Sequence, residues 1–529
     1  MMNRMQWLGL CVGLALSAPA IEAQAPVVAP AGLIWTHASG VESWVGKTVA
    51  LSDRGSQLAT AFGPYSDYVR VFSGCDTNPP TPLFQSTSSD PTFHHGVSGA
   101  HTTDLVAAVY DTYADATLQT RKVWLRRIRT GDPANNWTYQ WPTLTNGHDS
   151  LAVRVPRDGS RIVAAVHNSS TNKADIKVFS PLSAVPLMSF SASLNLAFRS
   201  MDLSADGSRL LISSSLVMQV INLNTGLVEH TEFLFEPLYA GLAISGDGSR
   251  FCYGTSGYAR FFKRNSNGQY ALEFSIPAPA GAWACDRLDL SDDGTGAALL
   301  FNNTNGFHDV LVNGVDCISR TVSMSELVHG TGSLQNAAAD ISISADGMRF
   351  VAGLWGDESG GTEEVRVYAR TQNAPLWVRD LPGSVTDAEI SADGKRVAIA
   401  SKAVHANQSG GGGRIELFRV VDEDLLVIGR PIAGTTIEVR TQGNHGQPAV
   451  LLKAPLPAAN PTFFPTLGTL YIDRATLSYL PMGSFDSQGQ AVRQLALPAS
   501  PGAGVFLQGF ATQPRTLGNS WLGVTIAAP

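Results

Sequence analysis

The chain has 529 residues, of which 15% are charged, with a formal net charge of −7 and a pI near 5.9. That balance lacks the basic face of a nucleic-acid binder, and no Lys/Arg run suits an anionic membrane. Hydrophobic residues make up 44%, with 51 Gly and 29 Pro; the composition suits many short strands joined by tight turns, over more than one ordinary core.

In chain order, residues 1–25 read as a secretory signal peptide. Arg4 gives the positive start, and Trp7 to Ala20 form an apolar run too short for a comfortable membrane span. Ala18-Pro19-Ala20 and Ala23-Gln24-Ala25 offer small-residue cleavage sites. Leu8-Gly9-Leu10-Cys11 has the outline of a lipoprotein box, but Leu10 is too large beside the cysteine and Cys11 lies inside the apolar run. No later segment is long and apolar enough to span a bilayer. A secreted, periplasmic or cell-surface monomer without a transmembrane segment is therefore expected. Export permits disulfides among Cys75, Cys252, Cys285 and Cys317. Three connectivities stay open, with Cys252 and Cys285 in neighbouring repeats as the pair favoured if one bridge forms. No CxxC spacing suggests zinc.

Residues 31–430 are organised by a repeat. Five clear copies are Ser204-Ala-Asp-Gly-Ser-Arg209, Ser245-Gly-Asp-Gly-Ser-Arg250, Ser291-Asp-Asp-Gly294, Ser344-Ala-Asp-Gly-Met-Arg349 and Ser391-Ala-Asp-Gly-Lys-Arg396. Weaker ones are Ser52-Asp-Arg-Gly55 and Pro156-Arg-Asp-Gly-Ser-Arg161. From Gly159 to Gly394 the glycines step by 41 to 53 residues, but Gly55 to Gly159 is 104, about double. A hidden copy fills that gap: Leu105-Val-Ala-Ala-Val-Tyr110 matches Ile162-Val-Ala-Ala-Val-His167, which places His101-Thr102 at the turn. Eight repeats result.

Four and six residues before each motif glycine the side chain is apolar, as at Leu203 and Met201 or Ile390 and Ala388. This period of two marks a strand. Asp-Gly turns the chain, because Gly tolerates positive φ and Asp bonds nearby amides. A second apolar strand follows, such as Arg209–Ile212, then a third, such as Ile176–Phe179, and a weaker outer fourth. Four antiparallel strands per repeat make one propeller blade, and a closed ring buries both faces of each.

The Ser-x-Asp-Gly-x-Arg turn, over roughly residues 45–420, resembles the TolB-type, WD-repeat-like β-propeller family of exported repeat proteins. The usual Pro after the Ser is Ala, Gly or Asp here. The resemblance implies an all-β propeller of eight blades, or seven if one repeat is misassigned, with Ile34-Trp35-Thr36 as a closing strand for the last blade. It marks a fold rather than an activity: such propellers include periplasmic scaffolds and domains attached to hydrolases. Residues 431–529 alternate apolar and polar residues between Pro/Gly turns, as in Thr436–Arg440 and Trp521–Ile526, and are expected to form a small C-terminal β-sandwich.

In propellers of this kind, ligands meet the face where each first strand begins, opposite the Asp-Gly turns. Seven residues before the motif glycine stand Ser200, Arg287, Asp340 and Asp387, with Asp286 adjacent. These would surround the channel mouth, either holding a ligand or capping strands and ordering channel water. Asp357, Glu358, Glu363 and Glu364 in the loop Trp355–Glu364 are oxygen ligands of the kind calcium prefers, but no Asp-x-Asp-x-Asp spacing is present. A solvated loop is expected there, and no cofactor. Asp90, His94, His95 and His101 are expected on a loop without metal. Gly96-Val-Ser-Gly-Ala100 fails the Gly-x-Ser-x-Gly pattern, and HExxH, P-loop and GxGxxG signatures are missing. Asn222-Leu-Asn-Thr-Gly226 has a quinoprotein-like outline without the tryptophan that usually follows, and is also an ordinary turn. The expected function is a non-catalytic scaffold that binds a protein or glycan partner through this top face. The alternative is a propeller hydrolase, lyase or quinone-dependent oxidoreductase with its site assembled from different blades at the channel mouth.

Overall fold

Each motif copy closes a hairpin through its own side chains. Ser204 Oγ donates to Asp206 Oδ1 (2.6 Å) and accepts the Arg209 amide (3.0 Å), while Gly207 takes φ +65°, a conformation that costs glycine nothing. The same serine bonds recur at Ser245, Ser291, Ser344 and Ser391. A computed structural model gives the fold. It describes residues 32–525 except 40–47, 53–54, 56, 62–68, 74–81, 87–91, 100–104, 114–119, 143, 146–150, 169–172, 193–200, 214–216, 235–240, 332, 358–360, 407–411, 421–424, 429–432, 443–447, 456, 465–467, 473, 485–489, 501–503 and 513–514.

The protein is an all-β propeller. Eight antiparallel sheets precede residue 420 among the described residues, seven of four strands and one, the second, of five. Their innermost strands are Thr48–Leu51, Thr92–Gly99, Leu151–Arg154, Met201–Leu203, Leu242–Ile244, Trp283–Leu290, Ala338–Ile343 and Val385–Ile390. The second sheet is the repeat that has lost its motif. Its turn at His101-Thr102 lies outside the described residues, but Thr92–Gly99 and Leu105–Tyr113 pair as the alignment implies. In the eighth sheet the outer strand comes from the other end of the chain. Gly32–Ser39, containing Ile34-Trp35-Thr36, pairs antiparallel with Gly413–Arg419.

Between every two consecutive sheets lies an apolar core. Leu211, Ile244 and Phe251 join the fourth to the fifth, for example, and Ala298, Ile341 and Phe350 the sixth to the seventh. The core that joins the eighth sheet back to the first holds Trp35, Leu58, Phe72, Ala398 and Leu417, and closes the ring. The motif arginine and glycine add a second lock. A Cβ on Gly248 would lie 2.7 Å from Arg209 Cδ, so the fifth turn must be glycine for the fourth sheet's arginine to stack on it. Likewise Arg250 Nη1 donates to Gly294 O (2.8 Å), and Arg396 Nη1 to Gly55 O (3.1 Å) across the closure. The sixth copy lacks the arginine. Arg370 of the seventh sheet fills that place, donating to Thr295 O (2.9 Å) and Val315 O (3.2 Å).

After the propeller, Leu425–Ile428, Thr436–Gln442 and Gln490–Ala496 form one sheet. Ser478–Ser484, Pro448–Ala454, Gly504–Thr512 and Arg515–Thr525 form another. Both contribute to one core that includes Val439, Leu451, Leu495 and Leu507. Among the described residues no helix is long and apolar enough to cross a membrane.

Cys252, Cys285 and Cys317 are free thiols buried in one core between the fifth and sixth sheets. The bridge favoured between Cys252 and Cys285 is therefore corrected: both pack as small apolar side chains. Burial raises all three pKa values, that of Cys317 to about 12. Cys75 and residues 1–25, expected to form a signal peptide, lie outside the described residues.

Candidate functional site: the central channel and the top-face loops

The eight innermost strands line one cavity of about 300 Å³ on the propeller axis. Each presents an unpaired edge to it, and edge amides need acceptors. The preceding sheet supplies them. Five residues before the motif glycine, Asp202 Oδ2 accepts the Ile244 amide (2.9 Å) and Asp289 Oδ2 that of Ile343 (2.9 Å). Ser342 Oγ accepts from Ile390 (3.3 Å) and Glu389 Oε2 from Leu51 (2.5 Å). Seven before it, Asp340 Oδ2 accepts the Ala388 amide (3.1 Å) and Asp387 Oδ2 that of Val49 (2.9 Å).

Of the residues expected at the mouth, Arg287, Asp340 and Asp387 line the cavity. A register shift directly precedes each of the three, between Cys285 and Arg287, Ala338 and Asp340, and Val385 and Asp387. Such bulges re-aim side chains. Asp286 falls within the first of these and is not among the lining residues. Its Oδ2 accepts from Asn302 Nδ2 (2.8 Å) and its Oδ1 from Arg287 Nη1 (2.8 Å). Arg287 Nε donates to Ala339 O (2.8 Å) in the next sheet. Ser200 lies outside the described residues.

The lining carries Asp202, Asp289, Asp292, Asp340, Asp387 and Glu389 against Arg154, Arg157 and Arg287. The channel is thus acidic. Burial raises the pKa of Asp202 and, with the Asp202 and Asp292 charges nearby, pushes Asp289 up to about 7. At the Asp-Gly end, Arg157 Nη1 of the third sheet donates to Asp292 Oδ2 of the sixth, an ion pair across the axis. Sequence reading missed the positions five before the glycine. Their signal was the polar residue between two apolar ones, visible at Asp202, Asp289 and Glu389.

The acidic top-face loop is not the solvated loop expected from its composition. Asp357 and Glu364 are wholly buried. Asp357 accepts from Thr331 Oγ1 (2.5 Å) and the Gly361 amide (3.1 Å), which ties the loop to the preceding connection. Glu364 Oε2 accepts the Leu381 amide (2.5 Å). Glu363 accepts from Arg366 (2.5 Å), and Glu358 lies outside the described residues. Among the described residues no group of three or more acidic, His or Cys side chains is arranged to hold a metal ion.

His94 and His95 fall in the strand Thr92–Gly99 rather than on a loop, with a register shift between His94 and Gly96; Asp90 and His101 lie outside the described residues. Ser98 is an acceptor for the Val155 amide (3.0 Å) within that strand. Asn222-Leu-Asn-Thr-Gly226 is a turn, in which Asn222 Oδ1 accepts from the Asn224 amide (2.9 Å) and Gly226 takes φ +72°.

No protein-family model and no curated protein matches this chain. Among solved structures, the C-terminal WD40 domain of Sif2 is similar at 12% identity and a TM-score of 0.49, covering 75% of this chain and 99% of that domain. The Myceliophteria thermophila Cps50 (Swd1) β-propeller domain is similar at 12% identity and a TM-score of 0.44, covering 74% of this chain and 100% of that domain.

Proposed function

We propose that this chain is an exported, non-catalytic binding scaffold of the TolB-like kind, an eight-bladed propeller with a small C-terminal β-sandwich. It takes a protein or glycan ligand on the top face and needs no cofactor. One observation carries the reading: the polar groups that converge on the channel mouth are spent on holding the ring together. Asp340 and Asp387 cap edge amides, and Arg287 reaches a neighbouring carbonyl. No histidine lines the cavity among the described residues. The connections between second and third strands differ in length and sequence from repeat to repeat, as suits a surface shaped by a partner.

The test is a thermal-shift screen of the purified protein with oligosaccharides, Ca²⁺ and quinone cofactor. A ligand present at 100 times its Kd stabilises the native state by about 2.7 kcal/mol. A shift with an oligosaccharide supports the reading, with glycan as the ligand class. No shift with any of the three also fits it and leaves a protein ligand. A shift with quinone cofactor accompanied by turnover replaces it with an enzyme.

A further inference from the structure

Glu364 has no part in the channel, yet it is among the most completely buried acids of the molecule. It directly precedes the third strand of the seventh sheet, Val365–Ala369, and its side chain is 0% exposed. Oε2 accepts the Leu381 amide from the connection to the eighth sheet (2.5 Å). Oε1 has no hydrogen-bond partner among the described residues, and lies 3.6 Å from Nδ1 of His405, beyond the second strand of the eighth sheet. The carboxyl rests on Gly356, which takes φ +66° and where a Cβ would collide with Oε1.

The same few residues pin the surrounding loops to one another. His405 Nδ1 lies 3.2 Å from Trp355 O, Ser384 Oγ donates to that carbonyl (2.7 Å) and accepts the Ala406 amide (2.7 Å), and Asn336 Oδ1 accepts the Gly356 amide (3.1 Å). Three connections thus meet around one carboxyl. We propose that Glu364, held against Gly356 and His405, is a proton-operated latch that fastens the top-face loops of the seventh and eighth sheets and releases them when it ionises.

On balance the surroundings favour the protonated, closed form. Burial opposes ionisation most, and the charges of Asp380 on the connection and Asp357 on its own loop add to it; together they outweigh the backbone amides of Leu381 and Glu364 that favour the carboxylate, so that Glu364 is pushed up to about 8. From the eighth sheet two basic groups come near: Lys402, whose Nζ donates to Ala406 O, and His405, which faces Oε1. A carboxyl raised in the closed form gives its full stabilisation below its ordinary pKa and loses it as pH rises through the closed-form value. Opening is therefore coupled to release of one proton between about pH 4.5 and 8, roughly tenfold per pH unit, and levels off above.

Hydrogen exchange read by mass spectrometry tests this in the full chain. Protection, corrected for intrinsic rates, should fall about 100-fold from pH 5.5 to 7.5 in peptides covering 354–384 and 402–406. Peptides from the fifth and sixth sheets should hold. Glu364→Gln, which keeps the acceptor for Leu381, should flatten the profile. A flat native profile, the same fall in E364Q, or a fall shared by the whole propeller would overturn the latch. If E364Q does not fold, the comparison between regions of the native protein decides alone.

Discussion

Replacing Trp35 by Ala should open the ring at its seam. Trp35 sits on Gly32–Ser39, which pairs as the outer strand of the eighth sheet and packs against the first. Its side chain is 0% exposed, with its ring 5.2 Å from that of Phe72 in the first sheet. Burial of about 150–250 Å² of aromatic surface at about 25 cal/mol per Å² gives roughly 4–6 kcal/mol as an upper bound. Measured aromatic-to-Ala losses of about 3–5 kcal/mol agree. The indole N–H adds a discriminating detail, because it has no hydrogen-bond partner among the described residues. Trp35→Phe gives up some volume but removes a buried unpaired donor worth about 1–3 kcal/mol, and should come out within about 1 kcal/mol of the native protein. Urea unfolding followed by circular dichroism measures both, with Leu33→Ala on the half-exposed face of the same strand as the control. A loss below about 1 kcal/mol for W35A, or one no larger than that of L33A, would refute the seam.

Two further outcomes follow from the channel and the cores. Asp387→Ala leaves the Val49 edge amide without its acceptor and should cost about 1–2 kcal/mol, while Asp387→Asn keeps an oxygen there and should cost less than half as much; equal urea midpoints for the two variants would sink the edge-capping role. Cys252, Cys285 and Cys317 should resist a thiol reagent in the native protein and react together on unfolding, because the thiol is both buried and held protonated; labelling of any of the three within minutes under native conditions would contradict their packing.

The hairpins were legible because their determinants are local. Ser204, Asp206 and Gly207 close their own turn, and the apolar residues four and six before the glycine state which side of the strand is covered. Even the closing strand could be read, since Ile34-Trp35-Thr36 is an apolar stretch left over before the first repeat. What stayed hidden depends on a neighbouring sheet. Asp202 and Glu389 look like ordinary polar residues between apolar ones until the next sheet brings an unpaired amide to each. Asp357 and Glu364 belong to a run of charges that reads as solvated. Only the packing of three connections against one another takes water away from them. The missing arginine of the sixth copy is supplied by Arg370, some 75 positions away in sequence.

The side chains that cap edge amides at the axis share a direction. Apart from the Arg157–Asp292 pair across the axis, those that cap edge amides run from one sheet to the next in chain order: Ser98 to Val155, Asp202 to Ile244, Asp289 to Ile343, Asp340 to Ala388. The last sheet has no successor in the chain, so Asp387, Glu389 and Arg396 turn to Val49, Leu51 and Gly55 of the first. These three contacts can form only when both ends of the repeat array are present, and the strand Gly32–Ser39 then clamps them from outside. Substitutions along the axis or at the Asp-Gly turns therefore act on closure before they act on any ligand. Among the described residues none of these axial contacts comes from a second-to-third strand loop; the loop of the seventh sheet instead reaches the connection to the eighth through Glu364 and the Leu381 amide.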